Sequence, residues 1–328
     1  MASAVRIRGL SKSYGTLKAL ADVDLEVPEG EMFALVGPDG AGKTTFLRIL
    51  SGSLRPDAGS LEILGHPIPE ARQPLRQHLG YLSQGFSLYH DLSIEENVRF
   101  FADIYGVTDF QSRRDQLLGF TRLEPFAKRL AGRLSGGMKK KLALACALVH
   151  KPKLLLLDEP TTGVDPVSRR DFWLILGELL ETGLTILVTS PYLDEAERCH
   201  RVGLLRDGEF LFVGTPEEAR DRLPGTMLEL VCSDPRGARR LLEPMVGRGI
   251  AETYVLGDRI NLRLPAETNT AEEASALLPD EARRRLESGG INVVNLRRVT
   301  PTLENVYLSL VSSPPPASSP PPERGGSL

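Results

Sequence analysis

Residues Gly37-Pro38-Asp39-Gly40-Ala41-Gly42-Lys43-Thr44-Thr45 form a glycine loop between the apolar run Met32-Phe33-Ala34-Leu35-Val36 and the stretch Phe46-Leu47-Arg48-Ile49-Leu50. The first flank reads as a buried strand, and the second repeats apolar residues at helical spacing. Strand, glycine loop, helix is the context in which G-x-x-x-x-G-K-[ST] reads as a phosphate-binding loop. Gly37, Gly40 and Gly42 allow backbone angles that a Cβ forbids, so consecutive amides can turn toward an anion at the positive end of the next helix. Lys43 then reaches the β- and γ-phosphates of a nucleotide, and Thr44 offers its hydroxyl to magnesium. Alone, the match would leave open a glycine turn feeding an ordinary helix; the companions further along the chain close that alternative.

The first companion is Lys153-Leu154-Leu155-Leu156-Leu157-Asp158-Glu159-Pro160. Continuous leucine means a strand covered on both faces, as in a parallel sheet, whose ligands gather at the strands' carboxyl ends. Side chains alternate along a strand, so the two adjacent carboxylates face different ways and can take different jobs. Asp158 suits a hydrated magnesium beside the phosphate loop; Glu159 suits a water attacking the γ-phosphate. Asp165-Pro166 opens a helix, with Asp165 as cap and Pro166 at its first position, and Gly183 closes it. Leu184 to Thr189 follows as another buried strand, ending at Ser190-Pro191. This alternation predicts an α/β, doubly wound P-loop fold.

Other positions are less decided. Tyr14, at the turn Tyr14-Gly15 among the short strands of Val5 to Val27, can stack on adenine or serve as an ordinary core or surface tyrosine. Ser60 to Leu64 and Leu79 to Ser83 read as strands, the second ending at Gln84. There a glutamine can contact magnesium and the attacking water, or be a surface amide. Ser93 to about Phe120 reads as helical, with Val98, Phe101, Ala102 and Tyr105 on one buried face. Leu134-Ser135-Gly136-Gly137-Met138 begins another helix with the apolar stripe Met138, Leu142, Ala145 and Val149. Lys139, Lys140 and Lys141 between them read as a solvated face. Ser135, Gly136 and Gly137 at a helix start make a second phosphate-ready nest.

The chain has 328 residues, enough for a full core and two domains. A formal net charge of -3 offers no field for a general polyanion binder, so no nucleic-acid partner is expected. There is no stretch of eighteen apolar residues, and Met-Ala-Ser-Ala-Val-Arg lacks the apolar core of a signal peptide; a cytosolic chain is expected. Cys146, Cys199 and Cys232 show no C-x-x-C spacing and read as core thiols in predicted helices or strands.

Across residues 5 to 222 the sequence resembles the ATP-binding subunit of ABC transporters. The phosphate loop at 37 to 45, Gln84, Leu-Ser-Gly-Gly at 134 to 137, the strand into Asp158-Glu159-Pro160, and Gly163-Val164-Asp165 stand in that family's order and spacing. The resemblance implies a P-loop NTPase core with a mixed sheet and a helical subdomain. It also implies two subunits packed head to tail, with ATP and Mg2+ between one phosphate loop and the other's signature, Ser135-Gly136-Gly137. By that resemblance Tyr14 stacks on adenine, residues Gly37 to Thr45 hold the phosphates, and Thr44, Gln84 and Asp158 serve magnesium. Gln84 also senses the γ-phosphate and faces the membrane subunits, Glu159 is the general base, and Asp165 reports across the dimer. Phe86-Ser87-Leu88-Tyr89-His90-Asp91-Leu92-Ser93 and Tyr192-Leu193-Asp194-Glu195-Ala196-Glu197-Arg198-Cys199 resemble the branch serving ABC-2 type exporters of drugs and related compounds. That branch implies ABC-2 type permease subunits as partners, a second ATP-binding subunit, identical or different, and a place on the inner face of the plasma membrane.

Two positions depart from the pattern. Asp39 stands where asparagine is commoner, which leaves the backbone amides intact. Pro191 stands where the family places a histidine on the γ-phosphate and attacking water, and proline has neither a side-chain donor nor an amide hydrogen. His200, nine residues later and beyond a predicted helix, is a poor substitute. ATP binding with slow turnover is therefore expected.

The ATP-binding domain is expected to span 1–224, ending near Leu223-Pro224-Gly225. In 225–311, strands near Leu228 to Val231, Glu252 to Leu256, Asn261 to Leu264 and Ile291 to Leu296 alternate with helices at Arg236 to Val246 and Ala271 to Leu286. The order βαββαβ predicts a small α+β, ferredoxin-like domain with a packing or regulatory role. A last helix after Thr300-Pro301 carries Leu303, Val306, Tyr307 and Leu310 on one face. Residues 312–328 are proline- and serine-rich and are expected to be disordered.

The leading expectation is an energy-coupling ATPase subunit of an ABC-2 type exporter. The alternative is an ATP-dependent binding module whose sister subunit supplies turnover. A soluble ABC protein of translation or repair fits less well: there is one nucleotide-binding domain, and the roughly ninety residues between phosphate loop and signature leave no room for a long coiled coil.

Overall fold

Apolar alternation near the amino terminus gives two long strands, β1 (Ser3–Tyr14) and β2 (Leu17–Pro28), paired antiparallel. In chain order follow β3 (Met32–Val36), β4 (Ala58–Ile63), β5 (His66–Ile68), β6 (Leu79–Leu82), β7 (Leu154–Asp158), β8 (Thr185–Ser190), β9 (Arg201–Arg206) and β10 (Glu209–Gly214). The computed structural model describes residues 2–68, 75–85, 88–265 and 278–312. Its chain divides into two units, 1–216 and 217–328.

In the first unit, β2-β1-β4-β5 form one sheet and β10-β9-β3-β8-β7-β6 another. The second sheet is parallel except for its β10 edge. All residues of β3, β7 and β8 are buried, as strands covered on both faces must be. The result is the mixed-sheet α/β core that the sequence predicts. Phe46, Leu47, Ile49 and Leu50 of the helix Lys43–Leu50 pack with Leu10, Leu20, Phe33 and Leu35, so the helix behind the glycine loop is anchored in the core between the sheets.

Several expectations need correction. The single helix expected over 93–120 is two, Ile94–Tyr105 and Phe110–Phe120, because Gly106 ends the first in the left-handed region with φ 67°. Its start is a capping box, Ser93 with Glu96. The helix Gly136–Leu148 is no stripe: it meets both of those helices, the helix Pro166–Glu181 and β6, and is buried at every position from Leu142 to Leu148. The lysine run is not a solvated face, because Lys141 pairs with Asp171 at 3.0 Å with 11% of its side chain exposed. All three cysteines are buried free thiols, and burial raises each thiol above its ordinary value. Cys199 lies in the turn after the helix Leu193–Ala196, outside any element. Among the described residues no helix is long and apolar enough to cross a membrane.

The second unit holds β11 (Thr226–Cys232), the helix Pro235–Leu242, β12 (Glu252–Leu256), β13 (Arg259–Leu264), the helix Asp280–Ser288 and β14 (Val293–Arg298). Its sheet order, β12-β13-β11-β14, is antiparallel throughout. Two split crossovers with helices on one face make this the ferredoxin-like arrangement the strand order predicts. Leu228, Leu230, Ile260 and Leu262 form its core with Ala238, Leu242, Ala282 and Leu286. Residues 271–277 of the expected second helix, Phe86 and Ser87, and residues 313–328 of the expected disordered tail lie outside the described residues.

The last helix, Leu303–Ser312, buries Leu303, Asn305, Val306 and Ser309; Tyr307 and Leu310 are only half-buried. Two polar residues replace the expected apolar pair because each has a partner. Asn305 Oδ1 accepts from the Thr302 amide at 3.0 Å, and Ser309 donates to Glu252 Oε1 at 2.8 Å. Glu252 also accepts from Arg263 and Tyr254. Burial opposes its charge, but these donors outweigh it and hold the carboxyl below the ordinary 4.5. A depressed carboxylate stabilises the fold above 4.5 and loses that contribution as pH falls through its lower folded value. Glu252→Gln should therefore lower the melting temperature at pH 7 by an amount worth about 1 kcal/mol after allowance for solvent screening. The gap from wild type should close below pH 4, as thermal melts followed by circular dichroism at the two pH values would show.

Candidate functional site

The glycine loop is clamped at both ends by close backbone approach. A Cβ on Gly37 would lie 2.2 Å from the Leu205 carbonyl, and one on Gly42 would lie 2.3 Å from the Ala19 carbonyl, with Gly42 at φ 109°. Only glycine fits either place. The helix Lys43–Leu50 begins with no side-chain cap, which leaves its first-turn amides for an anion. Lys43 is 4% exposed and points back over the loop, donating to the Gly37 and Pro38 carbonyls at 2.8 and 3.1 Å. Its Nζ also lies 3.2 Å from Glu159 Oε1.

Asp158, last residue of β7, is register partner of Thr189 on β8. Its Oδ1 accepts from Thr189 Oγ1 at 2.9 Å and Thr44 Oγ1 at 3.2 Å. Its Oδ2 is buried with no partner. Burial raises the carboxyl above the ordinary 3.8, opposed by the two hydroxyls. A buried carboxylate oxygen without a donor, beside a hydroxyl at the start of a phosphate-binding helix, is the donor set a hydrated magnesium takes. Among the described residues no group of three or more His, Cys, Asp or Glu is placed to hold a metal.

Glu159 does not follow the strand alternation assumed for it. β7 stops at Asp158, and Glu159 takes φ 47°, so the chain turns there and brings the second carboxylate to the same site. Its amide donates to Thr189 Oγ1 at 3.0 Å and Thr189 O at 3.2 Å, which holds this costly backbone in place. Gln84 Nε2 donates to Glu159 Oε2 at 3.2 Å, and Thr162 Oγ1 reaches the same oxygen at 3.4 Å. Lys43, Thr44, Gln84, Asp158 and Glu159, read separately from sequence, thus converge at the carboxyl ends of β3, β6 and β7.

The remaining residues stand on other turns and helix starts of the first unit. Tyr14 is 47% exposed at the β1–β2 turn, and Pro38, Asp39 and Gly40 are exposed at the loop's crest. Ser135 caps the helix Gly136–Leu148, accepting from the Met138 amide at 3.3 Å. A Cβ on Gly137 would lie 2.4 Å from Ser168, so the signature turn is packed against the helix that Asp165 caps. Pro191 follows β8 directly. His200 cannot stand in for the missing imidazole: its Nδ1 accepts from the Met32 amide at the opposite end of β3, about 13 Å of strand from the loop.

Two features escaped the sequence reading. Thr189 looked like any strand residue, although it sits level with Asp158. Glu195 is 1% exposed and accepts from Thr161 and Ser190, each at 2.6 Å, with Arg169 at 3.5 Å. Hydroxyls at 161, 189 and 190 flanking the acidic strand end were the available signal.

The family described as ABC transporter matches residues 20–162. Nod factor export ATP-binding protein I of Paraburkholderia xenovorans is 39% identical over 250 residues, 75% of this chain and 82% of that protein. The chain belongs to the ABC transporter ATP-binding proteins. Daunorubicin resistance ATP-binding protein DrrA3 of Streptomyces coeruleorubidus is 34% identical across 94% of this ABC chain and 96% of its own length. The probable multidrug ABC transporter ATP-binding protein YbhF of Escherichia coli is 40% identical over 94% of this chain, which spans 52% of that protein. A solved ATP-binding subunit of an ABC transporter matches with TM-score 0.61 and 31% identity over 67% of this chain and 92% of that one. A cassette solved as a dimer in a post-hydrolysis state, bound to ADP and phosphate, matches with TM-score 0.59 and 27% identity over 64% of this chain and 98% of its own.

Because Glu159 engages Lys43, nucleotide must compete for the ammonium. Glu159→Gln removes that competitor and a negative charge from the phosphate site. It should tighten ATP binding roughly tenfold by calorimetry. Unchanged or weaker binding would mean that the ammonium is already available to phosphate.

Proposed function

We propose that this chain is the energy-coupling ATPase subunit of an ABC-2 type exporter of drugs or related compounds. The convergence of Lys43, Thr44, Asp158, Glu159 and Gln84 beside an uncapped helix start carries the reading. The phosphate loop and its first-turn amides bind the triphosphate of ATP, Lys43 moves from Glu159 onto the β- and γ-phosphates, and Tyr14 stacks on adenine. Thr44, Asp158 and Gln84 are the residues that would hold Mg2+, which when bound neutralises phosphate charge. Glu159, oriented by Gln84 and Thr162, accepts a proton from the water that attacks the γ-phosphorus, yielding ADP and phosphate. Ser135, Gly136 and Gly137 serve the nucleotide of a second ATP-binding subunit, with Asp165 beside that junction. Membrane permeases of the ABC-2 type then hold the pair at the inner face of the membrane, and the ferredoxin-like unit takes a packing or regulatory role.

Pro191 favours slow turnover, because it offers neither a side-chain donor nor an amide hydrogen and His200 is at the far end of the strand. A sister subunit with a complete site would then set the rate. ATP turnover by wild type beside Pro191→His, with Glu159→Gln as blank, tests this. Wild type near the blank and a rise of about tenfold or more in the histidine variant are expected. Wild-type hydrolysis at several per second, unaltered by histidine, would make the chain a competent ATPase without it.

A further inference from the structure

Thr189 has no assigned task, yet its one hydroxyl bonds both the Asp158 carboxylate and the Glu159 backbone amide. The hydroxyl donates to Asp158 Oδ1 at 2.9 Å and accepts from the Glu159 amide at 3.0 Å. A hydroxyl has one proton and two lone pairs, so these bonds are compatible and each fixes the direction of the other. The side chain is fully buried on the central strand β8, level with Asp158 across the pairing. Two consequences follow. Asp158 has its Oδ1 turned toward two hydroxyls, which leaves Oδ2 as the buried oxygen without a partner. Glu159 is held at φ 47°, the conformation that swings its carboxylate out of the strand toward Lys43 and Gln84.

We infer that Thr189 is a positioning residue for ATP hydrolysis, its hydroxyl setting the rotamer of the magnesium-side carboxylate and the backbone angle of the general base together. The inference rests on the roles given above to Asp158 and Glu159. It bears on the missing histidine: with Pro191 offering no side-chain donor, the aim of Glu159 depends on the partners that hold it in place, and the Thr189 hydroxyl, which accepts from the Glu159 amide, also donates to Asp158. Fold maintenance alone would ask less of this side chain. Thr189 O also accepts from the Glu159 amide at 3.2 Å, and Thr44 also donates to Asp158, so an isosteric valine leaves each group one partner and the strand its packing.

The experiment uses the full chain as wild type, Thr189→Ser and Thr189→Val. Each is measured for affinity toward a fluorescent ATP analogue with and without Mg2+, for Mn2+ bound in the presence of ATP by electron paramagnetic resonance, and for turnover against Glu159→Gln. All three proteins should bind nucleotide alike without metal. The valine variant should lose roughly ten- to hundredfold in the metal-dependent gain of affinity, and in whatever turnover wild type shows above the blank, and serine should retain both within a few-fold. Valine matching wild type in both readouts would overturn the inference. So would serine falling as far as valine, because the methyl group's packing would then be the cause. Wild-type turnover at the Glu159→Gln blank is the slow turnover expected of Pro191, and the metal-dependent affinity then judges Thr189 by itself; a wild type that binds no ATP would instead overturn the ATPase reading.

Discussion

Two adjacent carboxylates delivered by a leucine strand into the buried edge of a sheet are the constraint the rest of this site answers. An unpaired buried charge costs several kcal/mol, and apolar packing alone does not offset it. Lys43 meets Glu159 as counter-charge, Gln84 and Thr162 meet its other oxygen, and Thr44 and Thr189 meet Asp158. The donors arrive from the helix after the glycine loop, the end of β6, the turn after β7 and the strand β8. Satisfying the acids therefore brings separate elements into one place. One oxygen, Asp158 Oδ2, stays unmet, and it marks where the protein leaves work for a ligand.

The glycine loop, the acidic strand end and the helix cap at Asp165 were legible because each depends on local chemistry: a turn only glycine can make, a strand that apolar side chains bury, a cap that a short polar side chain forms. Glu159 was assigned its task through strand alternation, and the structure reaches the same place by another route, a left-handed residue just past the strand. Spacing along a strand says nothing of a backbone that leaves it. Thr189 and Glu195 were missed for a related reason. A hydroxyl in a strand and an acid in a short helix acquire much of their meaning from distant partners, 30 or more positions away for Thr189 and for the Thr161–Glu195 pair. The solvated reading of the lysine run failed likewise, since Asp171 lies on a helix the local pattern could not bring beside Lys141.

In the second unit, strand order alone predicted the topology because a βαββαβ chain with short turns has few ways to pair. The last helix was read as an apolar face, yet Asn305 and Ser309 lie buried with Leu303 and Val306. Buried amides and hydroxyls ask for specific partners where leucines accept any, so this helix is held in one register against β12 by Glu252.

Gly137 is packed so closely against Ser168 that a side chain at 137 would collide with it. A side chain at 137 has room only if 168 retreats, and a larger residue at 168 must push away the turn that Ser135 caps. Drift at these two sites is thus coupled: across descendants of this chain they should vary as a pair or remain as they are. The same crowding ties the tilt of the helix Pro166–Glu181 to the signature turn, so a displacement of that turn carries the root of the helix with it.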